Sequence, residues 1–426
     1  MDKGIGVNPL IQGKGFEKLN DLGGLVYQKL RAPSLSGETL QVPLLSKLDD
    51  LWQANLRRIA SGHSTRFDRP LKEIQALGRA ELIHRSLAYS GVYLDDLPSV
   101  TSQNIIMSGH QPELFHPGVW YKNFVLSELG NRQSALAVNL VVDNDLCSHP
   151  SVSFPRVPGQ ASNWQETQLE RVAMDAFAEE VPYESRPVID WKLFESFGAR
   201  LSERFCRGES ACLINHLWRH VIVAASRLNN QPVVGLGQLV AAGRHRLESE
   251  YGLRTLEVPI SHLAETSAFT CFFKSILSAA DEFRLIHNSV LDEYRNAHQI
   301  RSESHPVPKL AEHDGWIEVP FWIWSDAECR RQRLYVRYRE DQVLLSNLSG
   351  WEFTCSLADV DGQVRELKKT GVLIRPRALT TTLFSRLILS DLFLHGIGGA
   401  KYDELTNLIA QRFFEVRLPD FQTLTA

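Results

Sequence analysis

The chain has 426 residues, 43% hydrophobic, 23% charged and 9% aromatic, and its 46 Lys and Arg against 50 Asp and Glu give a formal charge of -4. Its 27 Gly and 19 Pro are too few for a collagen-like chain and its apolar content too high for a disordered one, so a folded protein with a large core is expected. The near-neutral balance, with no long Lys/Arg run, excludes the electrostatic footprint of a duplex nucleic-acid or anionic-membrane binder and leaves small molecules as the expected partners.

At about 150 residues per domain, the length fits two or three units or one large α/β domain with insertions. The six cysteines (Cys147, Cys206, Cys212, Cys271, Cys329 and Cys355) are scattered without a CxxC pair and read as reduced thiols. Met1 to Phe16 has no apolar h-region and no eighteen apolar residues run together, so a cytoplasmic location is expected.

Residues 1 to about 100 carry helix-period stripes, Leu44, Leu45, Leu48, Leu51, Leu56 and Ile59, then Ile74, Leu77, Leu82 and Ile83. From Asn104 the pattern becomes a short apolar run, Ile105-Ile106-Met107, a turn Ser108-Gly109-His110-Gln111-Pro112, a helical stretch Val119 to Leu129 and a second apolar run, Ala135 to Val142. This order predicts a βαβ unit with parallel, adjacent strands buried on both faces. Ligands of such sheets bind outside the carboxyl ends of the strands, which selects the loops Ser108–Gly118 and Asp143–Pro150.

Further along, Phe194, Phe197, Leu201 and Phe205, then Leu213, Leu217 and Val221, predict helices between about 160 and 230. A short strand at Pro232-Val233-Val234 enters Gly235-Leu236-Gly237, which lacks the third glycine of a dinucleotide fingerprint. Helices are expected over 255–300, and alternating strands over Trp316–Trp324 and Leu334–Leu345, with Trp316, Trp322 and Trp324 in the core. Near the end, a strand Val372-Leu373-Ile374 leads through Arg375-Pro376-Arg377 into an apolar helix from Leu379 to Leu394. That helix stops at His395-Gly396-Ile397-Gly398-Gly399, and another runs from about Lys401 to Phe414.

Three segments carry residue types suited to chemistry. Gly109 allows a sharp turn, and the helix behind it offers free N–H groups and a positive dipole end for a phosphate or carboxylate, with His110, Gln111, Phe115, His116, Gly118 and Lys122 around that pocket. His110 is a candidate for stabilising charge on a reacting group. Asp143, Asn144 and Asp145, at the end of a buried strand, suit a substrate amine or a hydroxyl, and the spacing to Cys147 and His149 matches no zinc pattern, so no metal is assigned. Arg375 and Arg377 are natural anion clamps, and His395, Gly398, Gly399 and Lys401 form a glycine-rich anion loop distinct from a Walker A motif.

The order of these motifs resembles the bacillithiol synthase family, the cysteine-adding enzymes. Those proteins have a strand, a Gly-Gln-Gln loop with a Leu-Phe step and a later Gly-Pro, a second strand ending in acidic residues, and late in the chain an Arg-Pro element and a Gly-Gly turn. The match spans roughly residues 103–155 and 370–418. The resemblance implies an α/β fold with a Rossmann-like parallel-sheet core, laid out as in nucleotidyltransferases and class I synthetases: an N-terminal helical segment (1–100), the first half of the core (101–160), a mainly helical insertion with a small antiparallel strand region (161–365), and the second half of the core with C-terminal helices (366–426). It implies a ligase that joins the carboxyl of a small amino acid such as cysteine to an amino sugar or similar amine. Gly109, His110, Gln111 and Phe115 would form the pocket, Asp143 and Asp145 would face the amine, and Arg375, Gly398 and Gly399 would bind the anion. The cofactor is left open between none and ATP or another nucleotide, as is the oligomeric state. His110 stands where the family has Gln, the family's Asp-His pair after the second strand is missing, and no heptad matches its coiled coil. A nucleotidyltransferase-like enzyme and a non-catalytic ligand-binding protein of the same fold are the alternatives.

Overall fold

The computed structural model describes residues 30–426 apart from 36, 115, 157–167, 206–208, 230–233 and 341. A short strand β1 (Leu40–Val42) precedes helices α1 (Leu48–Ser61) and α2 (Leu71–Gly91), where the apolar stripes predicted helices. Next come β2 (Ile105–His110), α3 (Pro117–Arg132) and β3 (Leu136–Val141), and β2 and β3 pair in parallel, as the βαβ reading requires. Strands β4 (Leu146–Cys147), β5 (Ser151–Arg156), β6 (Gln168–Ala173) and β7 (Val181–Pro182) form two small antiparallel pairs, β4 with β7 and β5 with β6. Helices α4 (Trp191–Phe205), α5 (Glu209–Leu228) and α6 (Leu236–Glu250) follow, then β8 (Leu256–Pro259), α7 (Ile260–Leu263), α8 (Ser267–Leu277) and α9 (Ala280–Ala297).

A second sheet is built from β9 (Glu312–His313), β10 (Trp316–Ser325), β11 (Gln332–Arg339), β12 (Gln342–Ser346) and β13 (Glu352–Ser356), and after α10 (Val360–Lys369) it receives β14 (Val372–Pro376) on the far side of β10. All its pairings are antiparallel. The chain then returns through α11 (Ala378–Phe384) to β15 (Leu392–His395), α12 (Ile397–Phe413) and β16 (Gln422–Thr425).

The main sheet has the order β1-β16-β15-β2-β3-β8, parallel throughout except for the edge strand β1. Numbered by chain order, its parallel strands run 3-2-1-4-5 from β8 to β16. Their side chains alternate between two apolar layers. Ile105, Met107, Val138 and Leu140 pack towards α2, α8 and α11, whereas Ile106, Ala137, Leu392 and Leu394 pack towards α1 and α3. Burial on both faces is why these strands read as unbroken apolar runs. A third core joins α4, α5 and α6 to the β5–β6 pair.

Three sequence expectations change. The stretch 161–365 supplies a strand of the main sheet, β8, in addition to helices and five of the six strands of the antiparallel sheet. The segment Leu334–Leu345 is two strands, reversed at Glu340, which has a φ of 51°. Leu379–Leu394 is not one helix: α11 ends in a π turn, Ser385–Leu389, and β15 begins at Leu392. Every residue of it is buried, so its apolar positions show no one-sided period, a pattern shared by a buried helix and a buried strand. The strand reading near Pro232-Val233 lies outside the described residues.

The break between α11 and β15 is made by Asp391, which is almost fully buried. Its carboxylate accepts hydrogen bonds from the Ile105 backbone N–H (2.7 Å) and from two Arg79 nitrogens (2.7 and 3.1 Å), while its own N–H donates to the Ile105 carbonyl. This pins the first residues of β15 beside the first residues of β2. Asp391→Ala leaves a guanidinium and a backbone donor without their acceptor, and we expect it to lower stability by roughly 3–5 kcal/mol, read as a shift in the urea unfolding midpoint. A change within experimental error would show that water replaces the carboxylate there.

Candidate functional site

At the centre of the main sheet, β2 passes the chain to β3 on one side and β15 passes it to β16 on the other. Loops leaving in opposite directions open a crevice at the carboxyl ends of these strands. A cavity of about 590 Å3 occupies it. Its floor includes Gly109, His110, Gln111, Lys122, Asn144, Asp145, His395, Gly396, Gly398 and Gly399, and its roof Pro320, Trp322, Arg331, Arg333 and the Pro376–Thr382 segment.

The roof is shaped by a proline. Pro320 has no N–H, so the β10–β11 ladder skips from Val319 opposite Leu334 to Trp322 opposite Arg333, and the Pro320 carbonyl accepts from Arg377 N–H instead. Trp322 is thereby delivered to the cavity, while Trp316 and Trp324 stay buried as expected. The guanidiniums of Arg377 and Arg331 lie over the Trp322 ring, 4.3 and 4.7 Å from its centroid. Behind them, fully buried Glu318 pairs with Arg377 (2.7 Å) and Arg333 (3.3 Å).

Floor and roof are joined by hydrogen bonds between loops. Gln111 Nε2 donates to one oxygen of Asp145 (3.0 Å), and Arg331 donates to the other (3.1 Å) and to the Asn144 carbonyl (3.0 Å). Asn144 Nδ2 donates to the Pro376 carbonyl (2.7 Å). Gly109 sits where β2 and β3 approach closely, since a Cβ there would lie 3.2 Å from both Leu140 Cβ and its carbonyl oxygen.

The electrostatics favour an anion. Lys122, Arg331, Arg333 and Arg377 face the carboxylates of Asp145 and Glu318, an excess of two positive charges. Lys122 is buried, donates to the Gly109 carbonyl (3.1 Å), and is pushed down to about 8 by burial. Burial, with the Lys122 charge adding, pushes His110 down to about 4, which keeps its imidazole neutral at pH 7.

His395 ends β15 against a buried acid. Its Nε2 lies 2.7 Å from Asp403 Oδ2, which also accepts from Arg386 (2.6 Å). Arg386 and His395 hold the Asp403 carboxyl well below its ordinary range despite burial, and burial lowers His395. A neutral His395 beside an ionised Asp403 carries its proton on Nε2, leaving Nδ1 as an acceptor at the first turn of α12. Gly399 is required there, because a Cβ would lie 2.6 Å from that Nδ1. The first turn of α12 has no side-chain cap at Gly396, and the Cβ directions of Gly396 and Gly398 meet nothing within 4 Å, so its N–H groups are open to a ligand.

Of the residues singled out in the sequence, Gly109, His110, Gln111, Gly118, Lys122, Asn144, Asp145, Arg377, His395, Gly398 and Gly399 line this one cavity. Others do not. His116 caps α3, its Nδ1 accepting from Gly118 N–H (3.0 Å), and Thr425 and Ala426 pack against Gly118, so the open helix start is that of α12 and not α3. Asp143 is buried and accepts from the N–H and hydroxyl of Ser261, with burial raising it to about 7. Arg375 is held by Glu184 through three contacts of 2.8–3.1 Å. Lys401 is exposed on α12, and Phe115 lies outside the described residues. Sequence reasoning missed Arg331, Arg333, Trp322, Asp403 and Thr380–Thr382. The Pro320 interruption of an alternating strand was the available signal for Trp322; the arginines belong to a hairpin whose register the sequence does not print. No known family model matches the chain, and no curated protein matches it.

Lys122 gives a direct check on this electrostatic account. Competitive acetylation against pH should half-ionise it near pH 8, and pyrophosphate should move that midpoint upward by neutralising the surrounding cations. A midpoint near the ordinary lysine value of about 10.4 would mean the amine is hydrated.

Proposed function

We propose that this protein is an enzyme joining the carboxyl group of a small amino acid such as cysteine to the amine of an amino sugar or similar molecule, as bacillithiol synthases do. The observation that carries the reading is the meeting of two sequence regions, Gly109–Asp145 and Pro376–Tyr402, at one cationic cavity over a His395–Asp403 dyad. A Rossmann-like core fits the 3-2-1-4-5 strand order, with the antiparallel sheet inserted between β8 and β15. Amide formation needs a leaving group on the acid, and a bound nucleotide would supply that activation. Lys122, Arg331 and Arg377 would hold the anionic leaving group together with the open N–H groups of α12. His395 Nδ1, oriented by Asp403, would take the proton from the attacking amine. Trp322, with its two guanidiniums, offers a flat face for a sugar or base ring.

The test is product formation. Purified protein supplied with cysteine, glucosaminyl compounds and ATP should yield an amide detectable by mass spectrometry, and His395→Ala and Lys122→Met should each lower turnover by about 10²-fold or more while circular dichroism is retained. ATP or CTP raising the melting temperature without any amide forming would favour the nucleotidyltransferase-like alternative. The absence of both turnover and any melting-temperature shift with nucleotides, thiols or amino sugars would overturn the proposal in favour of a different ligand class.

A further inference from the structure

Away from the cavity, α5 and α6 pack against each other with unusually close backbones. A Cβ on Gly243 would lie 2.3 Å from Val221 Cγ2 and 2.6 Å from its Cα, so only glycine allows this crossing. The contact fixes the register of the two helices. It also places His216 and His220, one turn apart on α5, beside Glu250 at the end of α6.

Both imidazoles converge on a single oxygen. His216 Nε2 lies 3.1 Å and His220 Nε2 2.8 Å from the same Glu250 Oε2, and the three atoms all fall within 4.8 Å of one another. The rings are stacked, with centroids 5.0 Å apart and planes at 29°. Zinc bonds of about 2.0–2.1 Å place neighbouring ligand atoms about 3.3 Å apart in a tetrahedron, close to the 3.1 and 2.8 Å that separate the two imidazole nitrogens from Glu250 Oε2. The side chains are partly exposed, at 28%, 14% and 50%, so an ion has direct access from solvent.

We infer that His216, His220 and Glu250 form a binding site for a divalent transition metal of the zinc class, with a solvent molecule as fourth ligand. Two nitrogens and one carboxylate select zinc, cobalt or nickel over magnesium or calcium, which take oxygen ligands. The metal clamps α5 to α6. It replaces two hydrogen bonds from α5 to Glu250 with metal bonds, beside the close packing of Val221 against Gly243.

Isothermal titration of the chelator-treated full-length protein with zinc chloride tests the site. One zinc should bind through these residues and raise the melting temperature. His216→Ala and Glu250→Gln should each weaken that binding by at least about tenfold, and the His216→Ala/His220→Ala double variant should lose it. If that variant proves unstable, His216→Gln, which keeps the volume, gives the same reading. Cobalt(II) should show the intense visible bands of a four-coordinate site without thiolate charge transfer in the near ultraviolet. Undiminished zinc binding in the double variant, a thiolate band, or no zinc binding by the unmodified protein would each overturn the assignment.

Discussion

One carboxylate, that of Asp145, determines how the two sheets of this protein face each other. Its two oxygens are taken by Gln111, from the loop after β2, and by Arg331, from the strand-connecting region of the antiparallel sheet. A planar carboxylate with a donor on each oxygen leaves little rotational freedom, and Asn144 adds a bond to Pro376 a few ångströms along the same seam. The cavity exists because these bonds hold the roof at a fixed height over the crevice. Arg375 of β14, held by Glu184, adds a further polar tie between the antiparallel sheet and the segment after β7.

The cations of the cavity are bearable because each lies near an acid or gives up part of its charge. Arg377 and Arg333 share buried Glu318, and Arg331 has Asp145. Lys122 donates to the Gly109 carbonyl and responds to burial by a lowered proton affinity. The histidines are neutral for the same reason. Such a site presents donors that are already oriented and pays little reorganisation when an anion arrives, the condition under which electrostatic stabilisation of a transition state is strongest.

The parts of the fold legible in the sequence were those with a single period and a clear terminator. α1, α2 and the β2–α3–β3 unit were read from apolar spacing, and the loops of that unit, with the Arg375–Arg377 and His395–Gly399 turns near the end of the chain, led to eleven residues of one cavity. Strands β1 and β16 were not read: three and four residues long, they pair with each other across the whole chain and carry no local signal. β15 was hidden inside an apolar run because burial on every side erases periodicity, and only Asp391 marks its start. Asp143 and Arg375 have the composition of site residues, yet Ser261 and Glu184 take them up as interior partners. Residue type and strand end narrow the candidates, but which carboxylate meets solvent is decided by a contact more than a hundred residues away. His216 and His220 were not singled out in the sequence, and Glu250 becomes their third member only through the α5–α6 crossing.

Helix α6 connects these separate features. Near its start, Gly237 lies against Pro112, so closely that a Cβ would approach the proline ring to 2.7 Å, in the same loop that supplies Gln111 to Asp145. In its middle, buried Arg244 bonds Glu248 and Glu257, and these acids take Trp120 and Asn123 of α3 and Asn139 of β3. At its end stands Glu250. A buried network of this kind is costly to disrupt once any partner is removed, so α6 moves as a unit with α3 and β3 or not at all. The position of the Gln111 loop is thus set from behind by a helix whose far end is held by the proposed metal clamp, and the stiffness of the cavity floor rests on packing and ion pairs that never touch a ligand.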